Sequence, residues 1–452
     1  MFLCFYYQKI RTQVHLDLAR NLHLVETGGE MWRAAVLVAA AAAAAAAASC
    51  RGTGCSCSYS GGRARVSCPS LPRDARALPP STRALDLSRS GVASLAADVF
   101  AGLPALEELA LPWNRMASVS PRAFANLSAL RRLDLSHNLL AALPRGLLDG
   151  APLLQSLDLS FNRLAALHPG LFRGAPSLDE LSLAFNPLLG PALEASPGAL
   201  AAAFANDLRA LRLDGVRLAR LPDGFFASAE ALRELSLADN PLREVPFLPG
   251  GLEDLDLSGC EVRSLAPGSF VTSPFLRRLR LERMRELVAV QRSAFEGLAL
   301  EELSLRGCPR LTEVSGGAFG DSAVERGGAR VLSLAHGGLR ALPRELQGPL
   351  SAPERLDLQG NPWRCDCNLA WLRRLNLSAA ETADLRCAEP PELRRVLLWS
   401  LPESAFLCGG GHERRRGAAG AAAAAPGAYE MLRVDDDEEA AVGVWSTETS
   451  AR

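Results

Sequence analysis

The chain has 452 residues, of which 48% are hydrophobic and 22% are charged, and its formal net charge is -1. This composition suits one large folded region with short appendages and excludes wholesale disorder. The near-neutral charge gives no general electrostatic reason to expect a nucleic acid as partner.

A targeting signal lies near the start of the chain. From Met31 the sequence reads Met-Trp-Arg, followed by an apolar run over 34–48 and then Ser49. A basic residue, a short apolar run and small residues at its end predict a secretory signal peptide over 31–49. The run is too short and too alanine-rich for a membrane span, although a signal anchor that stays attached is the alternative. We expect translation to begin at Met31 and 1–30 to be a non-structural extension.

A cysteine cluster occupies the N-terminal flank, residues 50–75. Its spacing is C-x4-C-x-C-x10-C, formed by Cys50, Cys55, Cys57 and Cys68. An even-numbered cluster downstream of a signal peptide predicts disulfides in an oxidising compartment. The alternative for a Cys-x-Cys cluster is a zinc site, which the long gaps and the lack of nearby histidines disfavour.

Residues 76–361 repeat a Leu-x-Leu pattern twelve times, mostly every 24 residues. The first leucines are Leu85, Leu109, Leu133, Leu157, Leu181, Leu211, Leu235, Leu255, Leu279, Leu303, Leu332 and Leu356. Five residues later, six copies have asparagine: Asn114, Asn138, Asn162, Asn186, Asn240 and Asn361. This is the leucine-rich-repeat signature. Both leucines face inward from a short strand, stacked copies bury one core, and the asparagines should bond the turn backbone.

The repeats predict an α/β solenoid, a horseshoe with a parallel β-sheet on its concave face, an irregular or 3-10 convex side and disulfide-bonded end caps. A second apolar ladder should pack the convex side: Phe100, Phe124, Leu148, Phe172, Phe226, Phe270, Phe295 and Phe319. Cys260 and Cys308 occupy the asparagine position two repeats apart, hence roughly 10 Å, which is beyond disulfide reach. We therefore predict two buried free thiols. Insertions over 188–206 and 316–328 are expected to be loops.

Two sets of outward residues are candidates for partner binding on the concave face. Trp113, His137, Phe161 and Phe185 recur every 24 residues and should stack into an exposed aromatic row. Arg278, Arg280, Arg283 and Arg306 lie on adjoining strands and could receive an acidic protein or a sulfated glycan. In the alternative interpretation, the aromatic side chains are ordinary occupants of their position and the arginines belong to a solvated mixed-charge face.

Two N-glycosylation sequons begin at Asn126 and Asn376, and their use would agree with secretion. The tail 409–452, with its glycine, arginine and alanine runs and an acidic stretch, is predicted to be disordered. No stretch after Cys408 is apolar enough to predict a membrane helix or a glycolipid-anchor signal.

The C-terminal flank, residues 362–408, follows the last repeat and opens Asn361-Pro-Trp-Arg-Cys-Asp-Cys. On this motif and the repeats, 50–408 resembles the animal extracellular leucine-rich-repeat family with cysteine-rich flanks, which includes Slit, the Nogo receptor, chondroadherin and tsukushi. The cysteine spacing alone leaves three connectivities open in each flank. The resemblance implies first-to-third and second-to-fourth pairing: Cys50–Cys57, Cys55–Cys68, Cys365–Cys387 and Cys367–Cys408.

No catalytic motif occurs in the sequence, because the six histidines are scattered and no nucleophile elbow, phosphate loop or His-Glu-x-x-His motif is found. We therefore expect no enzyme activity, no cofactor and no metal. The resemblance implies a secreted protein that binds an extracellular protein ligand on its concave face and modulates signalling or adhesion. The alternatives are a matrix structural protein and a receptor ectodomain lacking its own membrane span.

Overall fold

The computed structural model describes residue 50 and residues 53–60, 63–72, 75–320 and 329–408. The expected extension 1–30, the signal peptide 31–49 and the tail 409–452 lie outside the described residues.

One long sheet runs through the described residues. In spatial order its fourteen strands are β1 (Ser56–Ser60), β2 (Arg63–Ser67), β3 (Thr82–Asp86), β5 (Glu108–Ala110), β7 (Arg132–Asp134), β8 (Ser156–Asp158), β9 (Glu180–Ser182), β10 (Ala210–Arg212), β11 (Glu234–Ser236), β12 (Asp254–Asp256), β14 (Arg278–Arg280), β16 (Glu302–Ser304), β18 (Val331–Ser333) and β19 (Arg355–Asp357). From β2 to β19 neighbouring strands are parallel, and the first leucines of successive repeats pair directly, as in Leu85 with Leu109. The predicted solenoid fold is confirmed.

The convex side consists mainly of turns, short strands and 3-10 helices. The short strands are β4 (Ser94–Leu95), β6 (Ser118–Val119), β13 (Ser264–Leu265), β15 (Ala289–Val290) and β17 (Glu313–Val314), and the 3-10 helix η2 spans Leu171–Gly174. The predicted convex ladder is buried, apart from Phe319, which is partly buried. Phe100 stacks on Phe124 at 6.4 Å between ring centroids. Aromatic packing between neighbouring repeats therefore supports the outer side of the solenoid.

The buried asparagines link each repeat to the preceding one. Asn138 donates from Nδ2 to the carbonyls of Leu111, Leu135 and Ser136 at 2.9–3.0 Å, and its Oδ1 accepts from the backbone N–H of Met116. The same arrangement recurs at Asn114, Asn162, Asn186, Asn240 and Asn361. These bonds satisfy backbone groups that the turn leaves unpaired inside the core.

The first insertion is helical, which corrects the expectation that it is a loop. It folds as α1 (Gly190–Ala195), η3 (Pro197–Leu200) and α2 (Ala201–Phe204). A proline in the first turn and the alanine-rich sequence favour helix, and Phe204 packs on Phe225 and Phe226 with ring centroids 6.2 and 6.0 Å away. Part of the second insertion, 321–328, lies outside the described residues.

The N-terminal cap is the antiparallel hairpin of β1 and β2, which pairs with β3 and covers the edge of the sheet. The short helix η1 (Ala75–Ala77) follows it. The structure pairs Cys50 with Cys57 and Cys55 with Cys68, the pairs that the family resemblance implies.

The C-terminal cap closes the other end of the core. Its elements are β20 (Trp363–Arg364), η5 (Ala370–Arg374), α4 (Ala379–Thr382), β21 (Cys387–Glu389), η6 (Pro391–Leu393), η7 (Leu398–Ser400) and η8 (Glu403–Ala405), whereas η4 (Arg344–Leu346) and α3 (Gln347–Ser351) precede the strand of the last repeat. Trp363 is fully buried, and its indole N–H donates to the Leu358 carbonyl at 3.2 Å. The disulfides are Cys365–Cys387 and Cys367–Cys408, again the implied pairs.

Candidate protein-binding surface

The backbone turns away from the sheet at the fourth residue after each first leucine, which we call position 4. Eight non-glycine residues there have φ between 51° and 58°: Arg89, Trp113, His137, Phe161, Phe185, Asp239, Arg283 and His336. In four other repeats this position is glycine with positive φ: Gly215, Gly259, Gly307 and Gly360. The left-handed conformation recurs because the chain must leave the strand at the same point in each repeat.

The four aromatic side chains at position 4 form a continuous stack, the aromatic row. Ring centroids are 3.8 Å apart from Trp113 to His137, 4.2 Å from His137 to Phe161 and 4.5 Å from Phe161 to Phe185, with near-parallel planes. Trp113 is 53% exposed, and Phe161 and Phe185 are also exposed. Because neighbouring rings cover one another's faces, the ring edges are the part of the row available to a partner.

The row has a defined end on each side. The Arg89 guanidinium lies 5.4 Å from the Trp113 ring centroid, a cation–π contact. At the other end, a Cβ on Gly215 would lie 2.7 Å from the Phe185 ring, so glycine is required for this ring to lie over the next repeat. The aromatic row therefore spans four repeats and ends at the repeat that carries the helical insertion.

Small residues or proline lie beside the aromatic row at position 3, the third residue after each first leucine: Ser88, Pro112, Ser136, Ser160 and Ala184. Beyond them, at position 1, lies the acidic column, which we define as Asp86, Asp134 and Asp158. We call the space between the acidic column and the aromatic row the groove. A depression of about 450 Å³ lies on the other side of the acidic column, away from the aromatic row, and is lined by all three aspartates together with Arg65, Arg132 and Glu108.

Each aspartate of the acidic column is held by its own turn. Its Oδ1 accepts the backbone N–H two residues on: the Ser136 N–H donates to Asp134 at 2.9 Å and the Ser160 N–H donates to Asp158 at 2.8 Å. No ion pair to these aspartates is present among the described residues, since the nearby Arg65 and Arg132 both pair with Glu108. The acidic column therefore presents three carboxylates that no ion pair among the described residues neutralises.

The four candidate arginines are brought together on the C-terminal half of the sheet, but each already has an acidic partner. The pairs are Arg278 with Asp254, Arg280 with Glu302, Arg283 with Asp239 and Arg306 with Asp357. Arg306 reaches across a whole repeat to its partner, and the buried hydroxyl of Ser333 in the intervening repeat has no hydrogen-bond partner. A glycan sulfate would have to compete with these carboxylates.

A partly buried carboxyl that the sequence interpretation missed lies between the two halves. Asp214 accepts hydrogen bonds from the Ser236 hydroxyl and from the backbone N–H of Ala238. Burial raises the pKa of Asp214 above its usual value, against the lowering effect of the Ser236 hydrogen bond. The sequence could have indicated this carboxyl, because Asp214 stands at position 3, where the five earlier repeats have a small residue or proline.

The two thiols at the asparagine position are free and buried. The Cys260 Sγ lies 3.4 Å from the Leu237 carbonyl, and the Cys308 Sγ lies 3.2 Å from the Leu281 carbonyl. Burial raises the pKa of Cys260 to about 12 and that of Cys308 to about 11. Both thiols therefore stay protonated at neutral pH and are poor nucleophiles.

Both sequon asparagines are exposed: Asn126 on the convex side and Asn376 in the C-terminal cap. The Ser378 hydroxyl of the second sequon belongs to the capping box of α4 with Glu381. Over the part of the chain that the structure describes, no cluster of three potential metal ligands is found. Within that same part, no helix has the length and apolar character that crossing a membrane requires.

Comparison with known proteins agrees with this architecture. The family model "Leucine rich repeat" matches residues 80–140 and 130–188. The fold and flanks thus define a leucine-rich-repeat protein. The chain is similar to leucine-rich-repeat proteins whose repeats are matched over part of its length, and its own repeats carry disulfide-bonded flanks at both ends.

Curated relatives match part of the chain. Leucine-rich repeat and fibronectin type-III domain-containing protein 4 of Rattus norvegicus is 31% identical over 192 residues, 41% of this chain and 22% of that protein. Vasorin of Homo sapiens is 29% identical over 221 residues, 48% of this chain and 25% of vasorin. The human platelet glycoprotein Ib beta chain is 45% identical over 75 residues, 16% of this chain and 36% of that one. The alignments thus span well under half the length of each relative.

Two solved structures share the fold. The TLR13–ssRNA13 complex aligns with a TM-score of 0.55 at 22% identity, covering 72% of this chain and 50% of that one. The Drosophila Toll–Spatzle complex aligns with a TM-score of 0.51 at 22% identity, covering 75% and 54%. At this identity the likeness concerns the fold alone.

Proposed function

We propose that this chain is a secreted, non-enzymatic protein that binds an extracellular protein ligand on its concave face and thereby modulates signalling or adhesion. The observation on which this rests is the exposed aromatic row. Large aromatic side chains held rigidly at a surface are the typical anchors of protein interfaces. An unused row of this size would expose apolar surface to water at a free-energy cost.

The disulfide-bonded flanks support the extracellular assignment, because such bonds persist in oxidising compartments. The Toll–Spatzle structure is a solved complex on the same fold. Both sequons lie away from the groove, so glycans on Asn126 and Asn376 would leave it open.

The first test is where the protein goes. Cultured animal cells that express the full chain are expected to release it in soluble form into the medium, with a mass that falls on enzymatic removal of N-glycans. Recovery from the deposited matrix only with salt or denaturant would instead favour a structural matrix protein. Retention on the cell surface would favour a receptor ectodomain.

The second test is whether the aromatic row binds. The variant W113G/F161G/F185G removes three rings, and glycine is the residue that four other repeats use at this position, so the backbone is preserved. The control F247S/V271S/F275S removes exposed apolar side chains at 69%, 71% and 66% exposure elsewhere. We expect the first variant, and not the control, to lose binding to cultured animal cells measured by flow cytometry. Equal binding by both variants would reject the proposal.

A further inference from the structure

The groove has two chemically different walls on the same repeats. On one side, the edges of the aromatic row offer apolar contact. On the other side, the acidic column offers three carboxylates without ion-pair partners in the described part of the chain. The residue at position 3 is small or a proline in every repeat from Ser88 to Ala184, so no large side chain lies between the acidic column and the aromatic row.

The rest of the concave face differs in a way that singles out this region. On the C-terminal half, acids and arginines pair with one another, as in Arg278 with Asp254 and Arg306 with Asp357. A partner that bound to this half would have to desolvate these ion pairs and compete with interactions that the protein already makes. Along the groove, a ligand cation would meet carboxylates that have no such interaction to lose.

We propose that the groove is the docking site for an extended protein segment in which basic and apolar side chains alternate. Lysine or arginine side chains face Asp86, Asp134 and Asp158, and the apolar side chains lie against the aromatic row. This inference rests on the proposed function, because it names the kind of partner that the same surface takes.

The spacing of the repeats fits such a segment. Adjacent strands lie about 4.8 Å apart, so Asp86 and Asp158 are separated by three spacings, about 14 Å. An extended chain rises about 3.3 Å per residue and crosses this distance in about four residues. Its side chains alternate between two sides, so those on one side lie about 6.6 Å apart, and the long flexible basic side chains reach the acidic column while the others face the rings. A sulfated glycan does not fit, because its charge would be repelled by the aspartates.

The test uses synthetic octapeptides as probes, measured by fluorescence anisotropy on the full secreted chain. The peptides alternate Leu-Arg, Leu-Glu or Ser-Arg. We expect the Leu-Arg peptide to bind best, and its affinity to fall about tenfold in D86N/D134N/D158N, since each exposed ion pair contributes modestly. Asparagine keeps the acceptor oxygen that each turn needs, so the fold is retained. Affinity should also fall with added salt.

The matched control is D223N/E230Q/E244Q, which makes the same charge change at exposed acids away from the groove. It should bind the Leu-Arg peptide as the unaltered chain does. An equal loss in the control, equal binding of the Leu-Glu peptide, or no binding of Leu-Arg would overturn the inference. If cell binding depends on the rings but not on the three aspartates, the inference fails while the proposed function stands. If cell binding depends on neither the rings nor the three aspartates, both the inference and the proposed function are rejected. If the unaltered chain forms a dimer that W113G/F161G/F185G abolishes, the groove binds a second copy of this chain, and the inference is overturned.

Discussion

At the scale of single residues, the buried asparagines join neighbouring repeats through several hydrogen bonds each. Asn162 makes four hydrogen bonds, three through Nδ2 to the carbonyls of Leu135, Leu159 and Ser160 and one through Oδ1 from the Leu140 N–H. We expect Asn162→Ala to lower the free energy of unfolding by about 3 kcal/mol, because it leaves these backbone groups buried and unpaired. Chemical denaturation monitored by circular dichroism measures the change.

The comparison variant for this prediction is Asn162→Cys, since the chain itself has cysteine at this position in two repeats. The thiol replaces only part of the bonding, as Cys260 does with the Leu237 carbonyl. We expect an intermediate loss. Alanine and cysteine variants as stable as the unaltered chain would mean that the ladder contributes little.

The buried thiols make stability depend on pH above neutrality. Unfolded cysteines ionise near pH 9, while Cys260 and Cys308 in the folded chain do so near pH 12 and 11. Folded pKa values above the unfolded value give stability that is complete below pH 9 and is lost as the pH rises toward 11. We expect a loss of up to about 1.4 kcal/mol per pH unit for each thiol, measured from denaturation midpoints between pH 7.5 and 10.

Cys260→Val/Cys308→Val is the control, because Val216 fills the same position in another repeat. Its stability should vary less between the two pH values than that of the unaltered chain. An identical pH dependence in both proteins would show that the thiols are not the cause. Alkylation by iodoacetamide at pH 8 should likewise require unfolding.

At the scale of elements, the two caps should differ in how much their disulfides stabilise. Cys367–Cys408 joins residues 41 apart, whereas Cys50–Cys57 joins residues 7 apart. The chain-entropy treatment assigns about 4 kcal/mol to the long loop and about 2 kcal/mol to the short one. We expect Cys367→Ser/Cys408→Ser to lower the thermal midpoint more than Cys50→Ser/Cys57→Ser. The reverse order would contradict the assignment, and peptide mass mapping checks the pairing itself.

Elements defined by local spacing could be predicted, and those that depend on distant neighbours could not. Leu-x-Leu determines which residues of a strand face inward, so the strand positions follow from the sequence, as does the stacking of Trp113 on His137. The short helices of the first insertion were missed because such helices depend on tertiary packing, as where Phe204 of α2 packs against Phe225 and Phe226. The arginine ion pairs were missed because a carboxylate one or two repeats away determines each one.

At the scale of the whole molecule, the two halves of the concave face have different roles. The N-terminal half combines the aromatic row with uncompensated acids, while the C-terminal half pairs its charges internally. If carbohydrate is attached at Asn126, it lies on the convex side. We expect Asn126→Gln to remove one glycan and leave Leu-Arg peptide affinity unchanged, measured by mass spectrometry and anisotropy. A change in affinity would place the glycan beside the groove.

The asparagine ladder also divides the solenoid into cooperative units. Repeats two to five each bond back to the preceding repeat through asparagine, but the equivalent residues are Val216, Met284 and Gly337 in three later repeats. Amide hydrogen exchange should therefore be slowest over 85–186, with subglobal opening beginning at the three interrupted junctions. Uniform exchange along the chain would contradict this. The groove thus lies on the segment least prone to open, which keeps the entropy loss on ligand capture small.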